Sequence, residues 1–148
     1  MTILDKIIAF KKTEIAKIKA EVPVSKLVES PNFKNAPFSL KKELLKVGST
    51  GIIAEFKRQS PSKGIINDKA TILEVTEGYL DANVAAQSIL TDTSFFGGTM
   101  ADLLEARTVN QLRPILRKDF IVDGFQIVEA KASGADVILL IAACLAKQ

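Results

Sequence analysis

Apolar residues at Ile3, Ile7, Phe10, Ile15 and Ile18 recur at helical spacing among lysines and glutamates, so MTILDKIIAFKKTEIAKIKA reads as an amphipathic helix. Pro23, Pro31 and Pro37 then interrupt a polar connection, VPVSKLVESPNFKNAPFSL. A short helix is expected from Leu40 to Val47, ending at Gly48. From Gly51 the period changes. GIIAEFK reads as a strand, RQSPSKGIINDK as a loop and ATILEVTEGYLDA as a helix; the same order repeats in VAAQSILT, DTSFFGG and TMADLLEART. A third unit follows with strand PILRK, a short loop through Asp123 and helix GFQIVEAKASG, before a last strand, ADVILLIAA.

Regular alternation of strand and helix implies right-handed crossovers and a parallel sheet with helices outside it. Both a doubly wound sheet and a (β/α)8 barrel satisfy that pattern. The positions of the unusual residues favour the barrel. Glu55, Lys57, Ser60, Ser62, Phe95, Phe96 and Lys118 all fall at the C-terminal ends of strands or in the loops that follow, and a barrel gathers such positions into one mouth. No GxGxxG or Walker A sequence follows the first strand, so nothing signals a nucleotide fold. Gly97-Gly98 reads as a turn before a helix that Thr99 can cap.

IIAEFKRQSPSKG is the most informative stretch. Side chains alternate across a strand, so Ile53, Glu55 and Lys57 share one face and Ala54 and Phe56 the other. Both faces begin apolar, as in a strand covered on two sides, and charges appear only at its C-terminal end. A surface ion pair there would contribute roughly 0 to 1 kcal/mol. A site is the alternative.

With 148 residues, 47% hydrophobic and 25% charged, the chain is long enough to bury one core. A net charge of +3 suits an anionic small molecule, and no basic stripe interleaved with aromatics points to nucleic acid. The sequence holds no histidine, which removes the usual general base, the Ser-His-Asp triad and the commonest metal ligand. Chemistry therefore falls to Lys, Glu and Asp. The one cysteine, Cys144, reads as a structural thiol in a reducing cytoplasm. The longest apolar stretch, Ala135 to Ala146 with Asp136 inside it, is too short to cross a bilayer, and the N-terminal pattern is not that of a signal peptide.

The segments IIAEFKRQSPSKG, SILTDTSFFGGT, PILRKDFIVDGFQIVEAKASGAD and VILLIAA, in that order, closely resemble the indole-3-glycerol phosphate synthase family of tryptophan biosynthesis. The resemblance runs from the N-terminal helix to the last residue. It implies an α/β chain of the (β/α)8 TIM barrel class with an N-terminal helical extension, here residues 1–48, followed by strands one to four in residues 49–148. It implies a carboxy-lyase that converts 1-(2-carboxyphenylamino)-1-deoxyribulose 5-phosphate into indole-3-glycerol phosphate, with release of carbon dioxide and water. No metal or organic cofactor is expected, and neither a nucleic-acid nor a membrane partner.

By the same resemblance Glu55, Lys57 and Lys118 occupy catalytic positions, Lys118 as the general acid of ring closure. A lysine ammonium at a partly desolvated mouth can donate such a proton. Lys57 can attract the anthranilate carboxylate, and Glu55 can orient a lysine and stabilise positive charge developing on the substrate nitrogen. Ser60 matches the loop that helps hold the substrate; Phe96, Phe120 and Leu139 match positions lining the anthranilate pocket. The alternative for Lys118 is a snorkelling surface lysine, against which stands the strand face it shares with Leu116, and without the family Phe96 reads equally as ordinary packing. Asp92 and Asp119 are expected as loop or cap residues, and Arg58 and Lys63 at the solvent.

Barrels of this class need about 250 residues, so the chain is expected to supply half of one and to be inactive alone. Open edges on the first and fourth strands would invite self-association. A non-catalytic half-barrel is the other functional class the sequence leaves open, and phosphoribosylanthranilate isomerase the other enzyme; EFKRQSPS and LRKDF fit it less well.

Overall fold

The computed structural model describes residues 2–145. Helix α1 (Ile3–Glu21) opens on a capping box in which Thr2 Oγ1 accepts from the Asp5 amide and the Asp5 carboxylate accepts from the Thr2 amide. Its buried row is Ile7, Lys11 and Ile15, each four residues apart, whereas Ile3 and Phe10 are exposed. The proline-broken connection is more ordered than its composition suggests. It holds α2 (Val24–Val28) and a 3-10 turn, Pro31–Lys34, with proline in its first turn, where its missing N–H is no loss. Helix α3 (Leu40–Leu45) starts at Ser39, whose hydroxyl accepts from the Lys42 amide.

Strand β1 (Ile53–Phe56) leads into a small antiparallel hairpin, β2 (Gln59–Ser60) and β3 (Gly64–Ile65), within a segment expected as plain loop. There follow α4 (Ile72–Asp81), β4 (Ala86–Leu90), the single turn α5 (Thr93–Phe96), α6 (Met100–Val109), β5 (Ile115–Lys118), α7 (Phe125–Ala132) and β6 (Val137–Ile138). Among the described residues the main sheet has four strands in the order β1-β4-β5-β6, all parallel. Strands β1 and β6 are its edges, as expected.

The register divides the sheet into two faces. Phe56, Ile89 and Ile115 point toward the helices and pack with Ile72, Leu103, Ala106 and Ala130. Each such aliphatic or aromatic side chain, when fully buried, contributes about 1.5 to 3 kcal/mol, so this helix-side layer carries most of the core. On the other face Glu55 lies beside Ser88 and Leu116 beside Val137, with Lys118 beside Leu90 at the C-terminal end. That face is only partly covered, and Ile53 at its edge is 41% exposed.

The last strand is shorter than expected. ADVILLIAA pairs with β5 only through Val137 and Ile138, and the chain turns into a 3-10 segment at Ala142–Cys144. The ladder ends at the Arg117–Ile138 pair, one residue before β5 itself ends at Lys118. Residues 146–148, part of the expected start of a fourth helix, lie outside the described residues.

Candidate active site

Parallel strands place their C-terminal ends side by side, and the register brings residues distant in sequence to one point. Glu55 Oε2 accepts from Lys118 Nζ at 3.0 Å, while Lys57 Nζ lies 3.2 Å from Oε1. Ser88 Oγ donates to Oε2 at 3.3 Å, and Tyr79 Oη donates to the Glu55 carbonyl at 2.9 Å. Partial burial pushes the Glu55 carboxyl up, but hydrogen bonds and charges from Lys118 and then Lys57 outweigh it and hold the carboxyl below its ordinary value. The two lysines and the glutamate are each about one-third exposed, so their ion pairs contribute about 1 kcal/mol or less apiece. Stability alone gives little reason for this cluster. What it offers is two ammonium groups held at a fixed separation around one carboxylate, facing an open surface.

Beside Lys118 lies an apolar seat. Phe96 from α5 and Phe120 after β5 stand with ring centroids 5.9 Å apart and planes tilted by 36°. With Leu90, Lys118, Asp119 and Ile141 they line a cavity of about 60 Å³. Ligand pockets usually reach about 300 Å³ or more, so this is one wall of a site. Gly97, at φ 67°, turns the chain out of α5, and Gly98 sits so close to the Leu90 carbonyl that a Cβ would lie 2.0 Å from it. These glycines fix where Phe96 stands relative to β4.

Two expected residues are placed apart. Ser60 lies in the hairpin, where its hydroxyl accepts from the Lys63 amide at 3.2 Å, and among the described residues no hydrogen bond joins it to the lysines or to Glu55. The hairpin packs on α5. Leu139 is part-exposed beyond the end of the β6 ladder and does not line the aromatic cavity.

Several polar residues differ from expectation. Arg58, expected at the solvent, makes a bidentate pair with Asp102, 2.7 Å on each arm, and lies 4.7 Å from the centre of the Phe56 ring. Asp102 also closes the capping box of α6, so the loop after β1 is tied to the start of that helix. Asp92 does cap α5, accepting from the Phe95 amide at 2.8 Å, but it is fully buried. Asp119 is buried as well. Lys11, read in the sequence as polar interruption of an apolar helix, reaches both, at 2.9 Å from Asp92 and 3.1 Å from Asp119. Its position midway between Ile7 and Ile15 on one helical row was the signal for its burial. Lys63 is exposed, as expected.

Among the described residues no group of three or more His, Cys, Asp or Glu side chains could hold a metal ion.

A family model described as indole-3-glycerol phosphate synthase matches residues 4–148. The chain is 47% identical over 146 residues to an indole-3-glycerol phosphate synthase of Bacteroides thetaiotaomicron, covering 99% of this chain and 55% of that protein. It is 41% identical over 151 residues to that of Polynucleobacter asymbioticus, covering 97% and 56%, and 42% identical over 145 residues to that of Burkholderia multivorans, covering 97% and 55%. The chain spans about half the length of the curated relatives it matches.

Proposed function

The chain belongs to the indole-3-glycerol phosphate synthase family, so its parallel sheet is part of a TIM barrel, and from that premise we propose that it carries the acid and carboxylate-binding half of an indole-forming site. The observation that carries this reading is the meeting of Lys118, Glu55 and Lys57 at one end of the sheet, beside Phe96 and Phe120.

Extended to the length of its relatives, the protein acts on 1-(2-carboxyphenylamino)-1-deoxyribulose 5-phosphate, a step of tryptophan biosynthesis. The aromatic ring rests against Phe96 and Phe120, and Leu139, which lies outside their cavity, meets the substrate only in the extended protein. Lys57 draws the ring carboxylate by charge, and the hairpin presents Ser60 to the polar end of the substrate. Ring closure builds negative charge on the ketone oxygen, and Lys118 supplies a proton there. Glu55 holds the two ammonium groups apart and balances positive charge on the substrate nitrogen. Carbon dioxide and water then leave, giving the indole. No cofactor enters this scheme, and its site is cytoplasmic, which accords with a lone thiol at Cys144.

A synthase assay on the extended protein tests the reading. Indole-3-glycerol phosphate and carbon dioxide are expected in equal amounts; a protein that binds the substrate and leaves it unchanged would contradict it.

For the 148-residue chain by itself a second reading follows from its partly covered inner face, with Ile53 41% exposed and, among the described residues, both β1 and β6 unpaired on one side. Alone, it self-associates through those edges and does not turn over substrate.

A further inference from the structure

Lys11 is 2% exposed, an extreme value for a lysine, which is almost never fully buried unless paired. Its ammonium sits among Glu14 at 2.6 Å, Asp92 at 2.9 Å and Asp119 at 3.1 Å. Each aspartate does local work besides. Asp92 holds the first turn of α5, the helix that carries Phe96. Asp119 separates Lys118 from Phe120, and its carboxylate accepts from the Phe120 amide at 2.8 Å, from Thr91 at 2.7 Å and from Arg117 at 3.1 Å. Arg117 in turn binds Glu129 and the Gln126 carbonyl on α7. From α1, Phe10 also meets Phe95 edge-on at 5.7 Å. One helix outside the sheet is thus joined by a buried charge to both loops that bear the aromatic wall.

We propose that Lys11 is a positioning residue: by pairing with Asp92 and Asp119 together it sets the spacing of Phe96 and Phe120 and the seating of Lys118, so that α1 acts as a brace for the pocket. The pocket's use in indole formation rests on the synthase reading; the brace does not. Without the ammonium, Asp92 keeps its bond to Phe95 but loses its ion-pair partner among the described residues, and a buried carboxylate left so is driven toward water. Opening of both loops is the expected result.

Hydrogen exchange read by mass spectrometry on the 148-residue chain tests this, comparing wild type, Lys11→Met, Lys11→Arg and Asp92→Asn. Lys11→Met is expected to speed exchange by about tenfold or more in segments 92–98 and 118–121, with α4 (72–81) unchanged, because local opening sets protection. Lys11→Arg restores much of the protection. Should Lys11→Met not fold, Asp92→Asn, which keeps the cap on Phe95, is expected to loosen 92–98 alone. Unaltered exchange in both segments, or a uniform rise that includes α4, would overturn the proposal. Loosened loops in the 148-residue chain, together with an extended wild-type protein that lacks synthase activity, would remove the synthase reading and keep the brace; unmoved loops together with an active extended protein would do the reverse.

Discussion

Lys118 Nζ lies 3.0 Å from Glu55 Oε2 although the two residues are 63 positions apart in sequence. The contact exists because β1 and β5 flank β4 in register, Glu55 beside Ser88 and Lys118 beside Leu90. Since Lys57 occupies the other carboxylate oxygen, Glu55 divides its charge between two lysines, to which the proposed mechanism assigns different tasks. Separate substitutions should therefore give separate kinetic signatures.

Lys57→Ala in the extended protein should raise KM for the carboxylated substrate and change kcat less, because charge attraction to the ring carboxylate is made in both ground and transition states. Steady-state kinetics check this. An unchanged KM would remove Lys57 from carboxylate binding.

Acid should loosen the braced loops. Burial pushes the Asp119 carboxyl up, but the Arg117 and Lys11 charges, with hydrogen bonds from Thr91 and the Phe120 amide, hold it below its ordinary 3.8. A carboxyl with a lowered folded-state value gives stability that is full above 3.8 and lost as pH falls through the folded value. Asp119→Asn should therefore be less stable at neutral pH and lose less on acidification below that point. Thermal melting across an acid series reads the difference, and parallel curves for the two proteins would contradict it.

Gly98→Ala should be strongly destabilising, by about 3 kcal/mol or more, the range of mutations that force backbone apart. The clash is with the Leu90 carbonyl, which cannot rotate away as a side chain would. Denaturant unfolding measures it; a change under about 1 kcal/mol would show that the turn after α5 yields readily.

Self-association of the 148-residue chain is the outcome expected from its partly covered face. Each large apolar side chain left wet forfeits roughly 1.5 to 3 kcal/mol, against a usual domain stability of about 5 to 15 kcal/mol. Sedimentation should find dimers or larger assemblies, or a partly molten chain. A compact monomer that unfolds cooperatively would contradict this.

Local periodicity made the element order legible. The 3.6-residue recurrence of Ile7 and Ile15 and the alternation in IIAEFK each report one element's own buried face. Polar partners were not legible in the same way. Arg58 pairs with Asp102, 44 positions on, and Lys11 with Asp92 and Asp119, contacts that arise only once loops converge at the sheet's C-terminal end. The row that Lys11 shares with Ile7 and Ile15 signals its burial but not which carboxylates it meets. The length of the last strand was obscured for a related reason, since ADVILLIAA is apolar throughout but its ladder depends on a neighbour.

The most direct test of the central claim is turnover of the extended protein with Lys118→Ala. With a proton-donating Lys118, kcat should fall by about 10² to 10⁴, the range of general acid catalysis, with substrate binding nearly retained. A Lys118→Ala protein that forms indole-3-glycerol phosphate at close to the wild-type rate would contradict it.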